Sequence, residues 1–340
     1  MKKVLSILIC LMLVLTMFSA CGGGETEDPA TSGPEATGPE YKIRFAHIEN
    51  DFTACAQGVE VFKKYVEEGS DGRIAVEILG SGSMGGEREI LESVTMGTIE
   101  GGMAMSSLFT TYLPNWNIFD LPFVFKSRDD WAEKVDGAMG DALAAEAESI
   151  GVKVLSFFDG GFRVISNTKR PITTLADFKG LKNRVGESTL MIDTHKALGD
   201  NPIPMSFGEI YTALQQGTID GVDTSVIYVQ DGNFQEVTKY ATLTNHTALQ
   251  MVTFINKDFF ESLPADLQEV VMEATAKTTA EQRQIAIEVD ELAMQIMKDA
   301  GMEINEPSAE FTAAMIEATK PVVDGYRSQI DAKLFELAGL

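Results

Sequence analysis

A chain of 340 residues, 44% of them hydrophobic, is long enough to bury one large core or two medium ones, and two is the expectation. Its formal charge of −24 repels nucleic acid and anionic lipid, so no nucleic-acid partner is expected, and an anion site would need a cation placed locally. Cysteines stand at 10, 21 and 55. If the first two are lost to processing and modification, Cys55 is alone, no internal disulfide can form, and a small buried apolar role is expected for it.

The first segment, 1–20, has a basic start at Lys2 and Lys3, an apolar run from Val4 to Phe18, and small residues Ser19-Ala20 before Cys21. This is the pattern of a signal peptide. Phe18-Ser19-Ala20-Cys21 resembles a bacterial lipobox, in which Cys21 becomes the lipidated N-terminus; a plain secreted protein is the alternative. Residues 21–40, rich in Gly, Pro, Thr and Glu, bury too little apolar surface to fold and read as a flexible tether. A lipid and a leash together predict attachment to the outer face of a membrane.

Lys42 to His47 alternates as a strand, Ala54 to Glu68 carries Val59, Phe62 and Val66 at helical spacing, and Ile74 to Leu79 is a second strand. A glycine-rich loop, Gly80 to Gly86, then leads into a helix. It lacks the Gly-Lys-Ser/Thr ending of a phosphate loop and reads as a turn aiming a helix N-terminus. Past Leu121-Pro122-Phe123-Val124-Phe125, a helical stretch runs to Ile150, and a strand from Val154 to Phe158 leads to Gly160-Gly161, which look like a crossing between lobes. Thr174 with Asp177 predicts a capped short helix, Leu181 to Val185 a strand, and Ser206 with Glu209 a second capping box. Pro264 to Ala300, without Gly or interior Pro, predicts one helix of about 35 residues, roughly 50 Å long, bracing both lobes. A pair of helices broken near Thr278-Thr279 is the alternative.

One motif occurs twice. Glu89-Ile90 and Gly97-Thr98-Ile99-Glu100-Gly101 return, 120 positions later, as Glu209-Ile210 and Gly217-Thr218-Ile219-Asp220-Gly221. Each copy reads as helix, glycine stop and strand, so the chain should hold two related α/β units with a cleft between lobes. Arg184 lies at the carboxyl end of its strand, away from the face of Leu181, Asn183 and Val185, where open α/β sheets bind ligands. Its planar fork accepts a carboxylate through two parallel hydrogen bonds. Arg163, after the glycine pair, is a second candidate; on residue type alone, a solvated role stays open for both.

These residues resemble the solute-binding proteins of tripartite ATP-independent periplasmic (TRAP) transporters, the C4-dicarboxylate-binding type, from about Lys42 to Gly301. The resemblance rests on Met84-Gly85-Gly86-Glu87-Arg88-Glu89, Leu121-Pro122-Phe123, Lys169-Arg170-Pro171-Ile172, and Lys179 to Val185. It continues through Pro204-Met205-Ser206-Phe207-Gly208-Glu209-Ile210-Tyr211 and Ser262-Leu263-Pro264-Ala265-Asp266-Leu267-Gln268. It implies an α/β fold of two hinged lobes with a central cleft and a long bracing helix. The lobes would comprise 41–160 plus about 250–289, and 161–249 plus about 290–340. It also implies a carboxylate clamp at Arg184 assisted by Arg163, an aromatic at Phe207 against the ligand, Met105 lining the pocket, and membrane transporter subunits as partners. Hinge closure would follow the ligand's contacts with both lobes.

The chain departs from that pattern at Asp223-Thr224-Ser225, where many relatives have an acid, Asn and Pro, so the Thr224 hydroxyl replaces an amide; Gly186 replaces a common Pro. His47, His195 and His246 form no spaced metal motif, and no metal or cofactor is expected. Glu87 and Glu89 could be paired for glycoside hydrolysis, but a helix start favours acids anyway. The expected function is therefore a non-enzymatic extracytoplasmic receptor for a small organic acid. A ligand-binding subunit of a signalling system and an extracellular hydrolase are the alternatives.

Overall fold

Alternating apolar residues make strands of β1 (Tyr41–Ala46) and β2 (Ile74–Leu79), and the amphipathic α1 (Ala54–Gly69) crosses between them. Thr53 caps α1 by accepting from the Ala56 N–H at 3.0 Å. The structure, a computed structural model, describes residues 38–340. The expected signal peptide, the lipidation site Cys21 and nearly all of the tether lie outside the described residues.

The chain continues through α2 (Glu87–Thr95) into β3 (Gly101–Met105), then two 3-10 turns, α3 (Arg128–Val135) and α4 (Ala138–Ala147). The strand β4 (Val152–Asn167) follows. A second run of β5 (Lys182–Val185), α5 (Thr189–Leu198), β6 (Asn201–Pro204), α6 (Ile210–Gln215) and β7 (Gly221–Ser225) repeats the plan of the first. Next come α7 (Val226–Asp231), β8 (Tyr240–Thr242), β9 (Ala248–Asn256) and α8 (Lys257–Ser262). The chain closes with α9 (Ala265–Asp299), β10 (Glu303–Asn305), α10 (Ala309–Tyr326) and α11 (Ala332–Ala338).

The strand order is β2-β1-β3-β9-β4-β7-β5-β6, with β8 also on β4 and β10 on β8. Strands β2-β1-β3 and β6-β5-β7 are matching parallel triplets, while β9 and β4 join them by antiparallel pairing. This is the two-lobed α/β architecture expected. Parallel triplets need helical crossovers covering their faces, which α1, α2, α5 and α6 supply.

The Gly160-Gly161 pair does not end a strand as the sequence suggested. Instead β4 runs through it for 16 residues, pairing with β9 before it and with β7 and β8 after it. The register shifts between Asp159 and Phe162, so the glycines form a bulge where the strand changes partner. Gly161 has φ +86° and sits against Ser225, whose Oγ donates to the Gly160 carbonyl at 2.5 Å. Opposite the bulge, the Gln282 amide takes the place of a strand neighbour. It accepts from the Asp159 N–H and donates to the Asp159 carbonyl, both at 2.9 Å.

Gln282 belongs to α9, which is unbroken for 35 residues and passes Thr278-Thr279 without interruption. Its inner stripe, Leu267, Val271, Ala274, Ala286 and Val289, packs in the core around β1 to β3, while Ala293 and Met297 pack in the core under β7 and α7. One helix thus braces both halves. Fully burying a large aliphatic side chain contributes about 1.5–3 kcal/mol, so the stripe holds the halves in one frame. A separate aromatic nest, with Phe109 stacked on Trp116 at 4.3 Å, fills the side of β3 and β9 away from α9, and α11 seats Leu334 and Phe335 there.

Two local expectations fare differently. Thr174 and Asp177 form a complete capping box. Ser206 and Glu209 do not: the Ser206 Oγ donates to the Glu209 carboxylate at 2.8 Å, and α6 begins from a 3-10 turn. The sequence pattern was right in residue type, but the two side chains satisfied each other rather than the backbone.

Candidate functional site

The carboxyl ends of β3, β5 and β7 and the bulged centre of β4 converge, because parallel triplets on both sides point their ends toward the join. Arg184, Arg163, Phe207, Thr224 and Met105 all line one small cavity there, of about 30 Å³, together with Glu49, Glu87 and Tyr228. A second cavity of about 520 Å³ shares Glu87, Met105, Arg184 and Phe207 with it, within the range of small-molecule sites. A groove of about 630 Å³ lies elsewhere, between Thr110–Asn117 and Pro321–Gln329. Its walls include Glu187 and Asp193 and no Lys or Arg, so it does not suit an anion.

Arg184 is 6% exposed, and its Nε donates to the Met205 carbonyl at 2.9 Å. Among the described residues no carboxylate forms an ion pair with it, so both terminal nitrogens remain available. Burial, helped by the neighbouring Arg163, lowers its pKa to about 10, which still leaves it charged at neutral pH. An unpaired buried cation is costly unless an anion joins it.

Arg163 is bound differently. Its Nη1 donates to the Asp223 carbonyl at 3.3 Å and lies 3.6 Å from Asp223 Oδ1, while Nη2 rests on Met105 Sδ at 3.1 Å. Its Nε is buried without a partner. Met105 is fixed in turn, since its N–H donates to Glu87 Oε1 at 2.8 Å. Phe207 stands in the 3-10 turn before α6, its ring held against Phe234 at 5.5 Å and Tyr228 at 5.8 Å.

Sequence reasoning missed the acidic wall. Glu87 and Glu89 both line the larger cavity; Glu87 also turns into the smaller one beside the arginines, whereas Glu89 lies against the Gly85-Gly86 loop. Burial and then the nearby Glu49 push the Glu87 pKa up to about 7, against the Met105 N–H and the two arginines. Glu49 is 1% exposed, and neither carboxylate oxygen has a hydrogen-bond partner; the His47 Nδ1 lies 3.3 Å from Oε2. The first-turn position of Glu87 beside a glycine loop was a usable signal. Glu49 follows β1 with no pattern to mark it.

Two histidines also meet where spacing gave no hint. His195 and His246 lie 6.0 Å apart, both facing Asp223, and His195 also faces Asp200. His195, Asp223 and His246 present ligand atoms within 4.8 Å of one another, a donor set that could hold a divalent ion. The guanidinium of Arg163, 3.6 Å from the same carboxylate, already supplies a cation there. Cys55 is buried and free, as expected of a small core residue.

Comparison with known proteins fits this geometry. A sequence profile of bacterial extracellular solute-binding proteins, family 7, matches residues 45–329. The C4-dicarboxylate-binding periplasmic protein DctP of Rhodobacter capsulatus is 32% identical over 95% of this chain and 97% of its own. The sugar acid binding protein DctPAm from Advenella mimigardefordensis, solved with galactonate, superposes with a TM-score of 0.85 at 29% identity, over 89% of this chain and 97% of that one. A TRAP periplasmic solute-binding protein from Sulfurospirillum deleyianum, solved with succinate, gives 0.83 at 28% identity, over 88% and 99%. The chain belongs to the bacterial extracellular solute-binding proteins of family 7 and is a solute-binding protein of the TRAP type.

Proposed function

We propose that this protein captures a small organic acid with Arg184 as the carboxylate clamp and hands it to the integral membrane subunits of a TRAP transporter. The observation that carries this reading is a buried arginine facing two cavities with its terminal nitrogens unclaimed among the described residues. Arg163 assists, Phe207 and Met105 shape the ligand's apolar contacts, and Thr224 supplies a hydroxyl. No turnover is required of these groups. The lobes move as 41–160 with about 250–289, against 161–249 with the start of the 290–340 segment, while α11 stays seated on the first. Cys21 carries the lipid that keeps the receptor beside its transporter.

The acidic wall narrows the ligand class. A dicarboxylate held by Arg184 would turn its second charge toward Glu49, and two unit charges about 4 Å apart repel by about 4 kcal/mol at an effective dielectric near 20. Hydroxyl groups, in contrast, donate to unpartnered carboxylate oxygens. We therefore favour a hydroxylated monocarboxylate such as a sugar acid. Native mass spectrometry of the purified protein, followed by calorimetry with galactonate and succinate, tests this. Galactonate should bind at least tenfold more tightly, and Glu49→Gln should narrow the gap. Tighter binding of succinate would overturn the ligand class, and failure of every organic acid tried would overturn the receptor reading itself.

A further inference from the structure

We propose that His195 is a positioning residue for the ligand site: held between Asp200 and Asp223, it fixes the carboxylate that orients the Arg163 guanidinium. This rests on the reading that Arg163 assists the clamp. His195, on α5, is wholly buried; its Nδ1 lies 2.8 Å from Asp200 Oδ2 and its Nε2 lies 3.1 Å from Asp223 Oδ2. Carboxylates only accept, so a ring with a carboxylate at each nitrogen must donate from both, and the ring is an imidazolium. Asp200 is itself tied down by the Asn183 amide, which fixes the far end of the chain of contacts.

With that proton in place, each of the two buried carboxylates beside His195 faces a cation. Arg163 and His195 stand against Asp223 and Asp200. His246 also faces this pocket, with its Nδ1 2.8 Å from the Thr244 hydroxyl and its Nε2 3.7 Å from Asp223 Oδ2. Two further acids feel Arg163: burial pushes both Asp120 and Glu87 up to about 7, so at about pH 8.5 both add negative charge that favours the protonated ring. Burial opposes a charged His195, yet Asp200 and Asp223 outweigh it and raise its pKa to about 10, which agrees with the geometry.

Positioning follows from what else holds Arg163. Its Nε has no partner and its Nη2 touches only a thioether, so Nη1 is its anchor: it donates to the Asp223 main-chain carbonyl at 3.3 Å and forms an ion pair with the Asp223 carboxylate, 3.6 Å from Oδ1. With His195 neutral, Asp223 would keep Arg163 as its main cation and draw it back from the cleft.

Nuclear magnetic resonance of protein carrying isotope-labelled His and Arg reads both ends directly. At about pH 8.5, two units above the ordinary histidine value, the His195 ring should still carry both protons, and the guanidinium protons of Arg163 should exchange slowly. Asp200→Asn should bring the His195 titration down into the measured range, and His195→Gln should speed exchange at Arg163 and weaken galactonate binding about tenfold. A His195 that is neutral at that pH, Arg163 exchange unchanged in His195→Gln, or one equivalent of zinc in the purified protein would each overturn the proposal. The spectra need no ligand, so absent galactonate binding in the wild type would count against the receptor reading and leave His195 to be judged by its own signals.

Discussion

The two copies of the helix, glycine and strand unit share a backbone and differ in what they deliver to the cleft. In both, the glycine has φ +70° and its N–H closes the helix, Gly97 onto Val94 and Gly217 onto Leu214, each at 3.0 Å. The next acid ties the unit to the neighbouring parallel strand. Glu100 accepts from the Arg44 backbone and side chain, and Asp220 accepts from the Lys182 backbone N–H. At the cleft the likeness stops. The residue opening the first copy is Glu87 and its counterpart 120 positions on is Phe207, so one side of the site is acidic and the other aromatic. A duplicated scaffold fixes position, and the residues at its tips set chemistry.

The sharpest way to break the comparison is to remove the cation that both sides face. Truncating one partner of a buried charge pair costs about 2–5 kcal/mol, or roughly 30-fold to 3,000-fold in affinity. Arg184→Ala should lose galactonate binding by that factor in calorimetry, and Arg184→Lys should restore it only in part, since an ammonium cannot form the paired hydrogen bonds. Wild-type affinity in Arg184→Ala would mean that the ligand sits elsewhere.

What was legible in the sequence was what short-range patterning encodes. Strand β2, the bracing helix and the repeat followed from local periodicity and glycine stops. Met105, Arg163, Arg184, Phe207 and Thr224, drawn from five separate elements, line one cavity. The strand read as Val154 to Phe158 is longer, because the partner strands β9, β7 and β8 and the Gln282 amide keep β4 continuous through the glycine pair that the sequence marks only as a crossing. Glu49, Asp200, His195 and His246 were invisible as a group, since their meaning comes from contacts between residues far apart in sequence.

The strands of the two copies should also differ in tolerance to one methyl group. A Cβ at Gly221 would come within 2.6 Å of the Ser166 carbonyl oxygen, part of the β4 backbone. At Gly101 it would meet the Phe45 ring at 2.8 Å and the Phe254 carbonyl oxygen only at 3.3 Å. A ring edge can move and a paired strand cannot, so Gly221→Ala should cost about 1–3 kcal/mol and Gly101→Ala less. Thermal unfolding of the two variants measures the order, and the reverse order would show that β4 yields there.

The acidic tip gives the first copy a titration that the second lacks. Glu87 is raised from the ordinary carboxylate range to about 7, so between those values the folded protein holds a proton that the unfolded chain has released. Stability from this group is therefore full at low pH and is lost as pH rises toward 7, at up to about 1.4 kcal/mol per pH unit. Urea unfolding at a series of pH values should show a shallower decline in Glu87→Gln than in the wild type. Phe207→Leu should leave the slope as it is, and a slope unchanged by Glu87→Gln would place the titration elsewhere.

The smallest effect is the one that should be equal in the two copies. Gly97 and Gly217 both sit at φ +70°, where an L-residue with a Cβ is disfavoured by roughly 1–2 kcal/mol. Gly217 has no atom within 4 Å of an added Cβ, and at Gly97 the nearest is the Asn256 amide at 3.6 Å, an ordinary contact. Sterics therefore add nothing at either place, and Gly97→Ala and Gly217→Ala should lower the unfolding free energy by about the same 1 kcal/mol. Urea midpoints with unchanged slopes are the measurement. A difference well beyond that size would mean that the helix stop in one copy is held by something other than its backbone angle, and that the duplication is less faithful than its shared hydrogen bonds indicate.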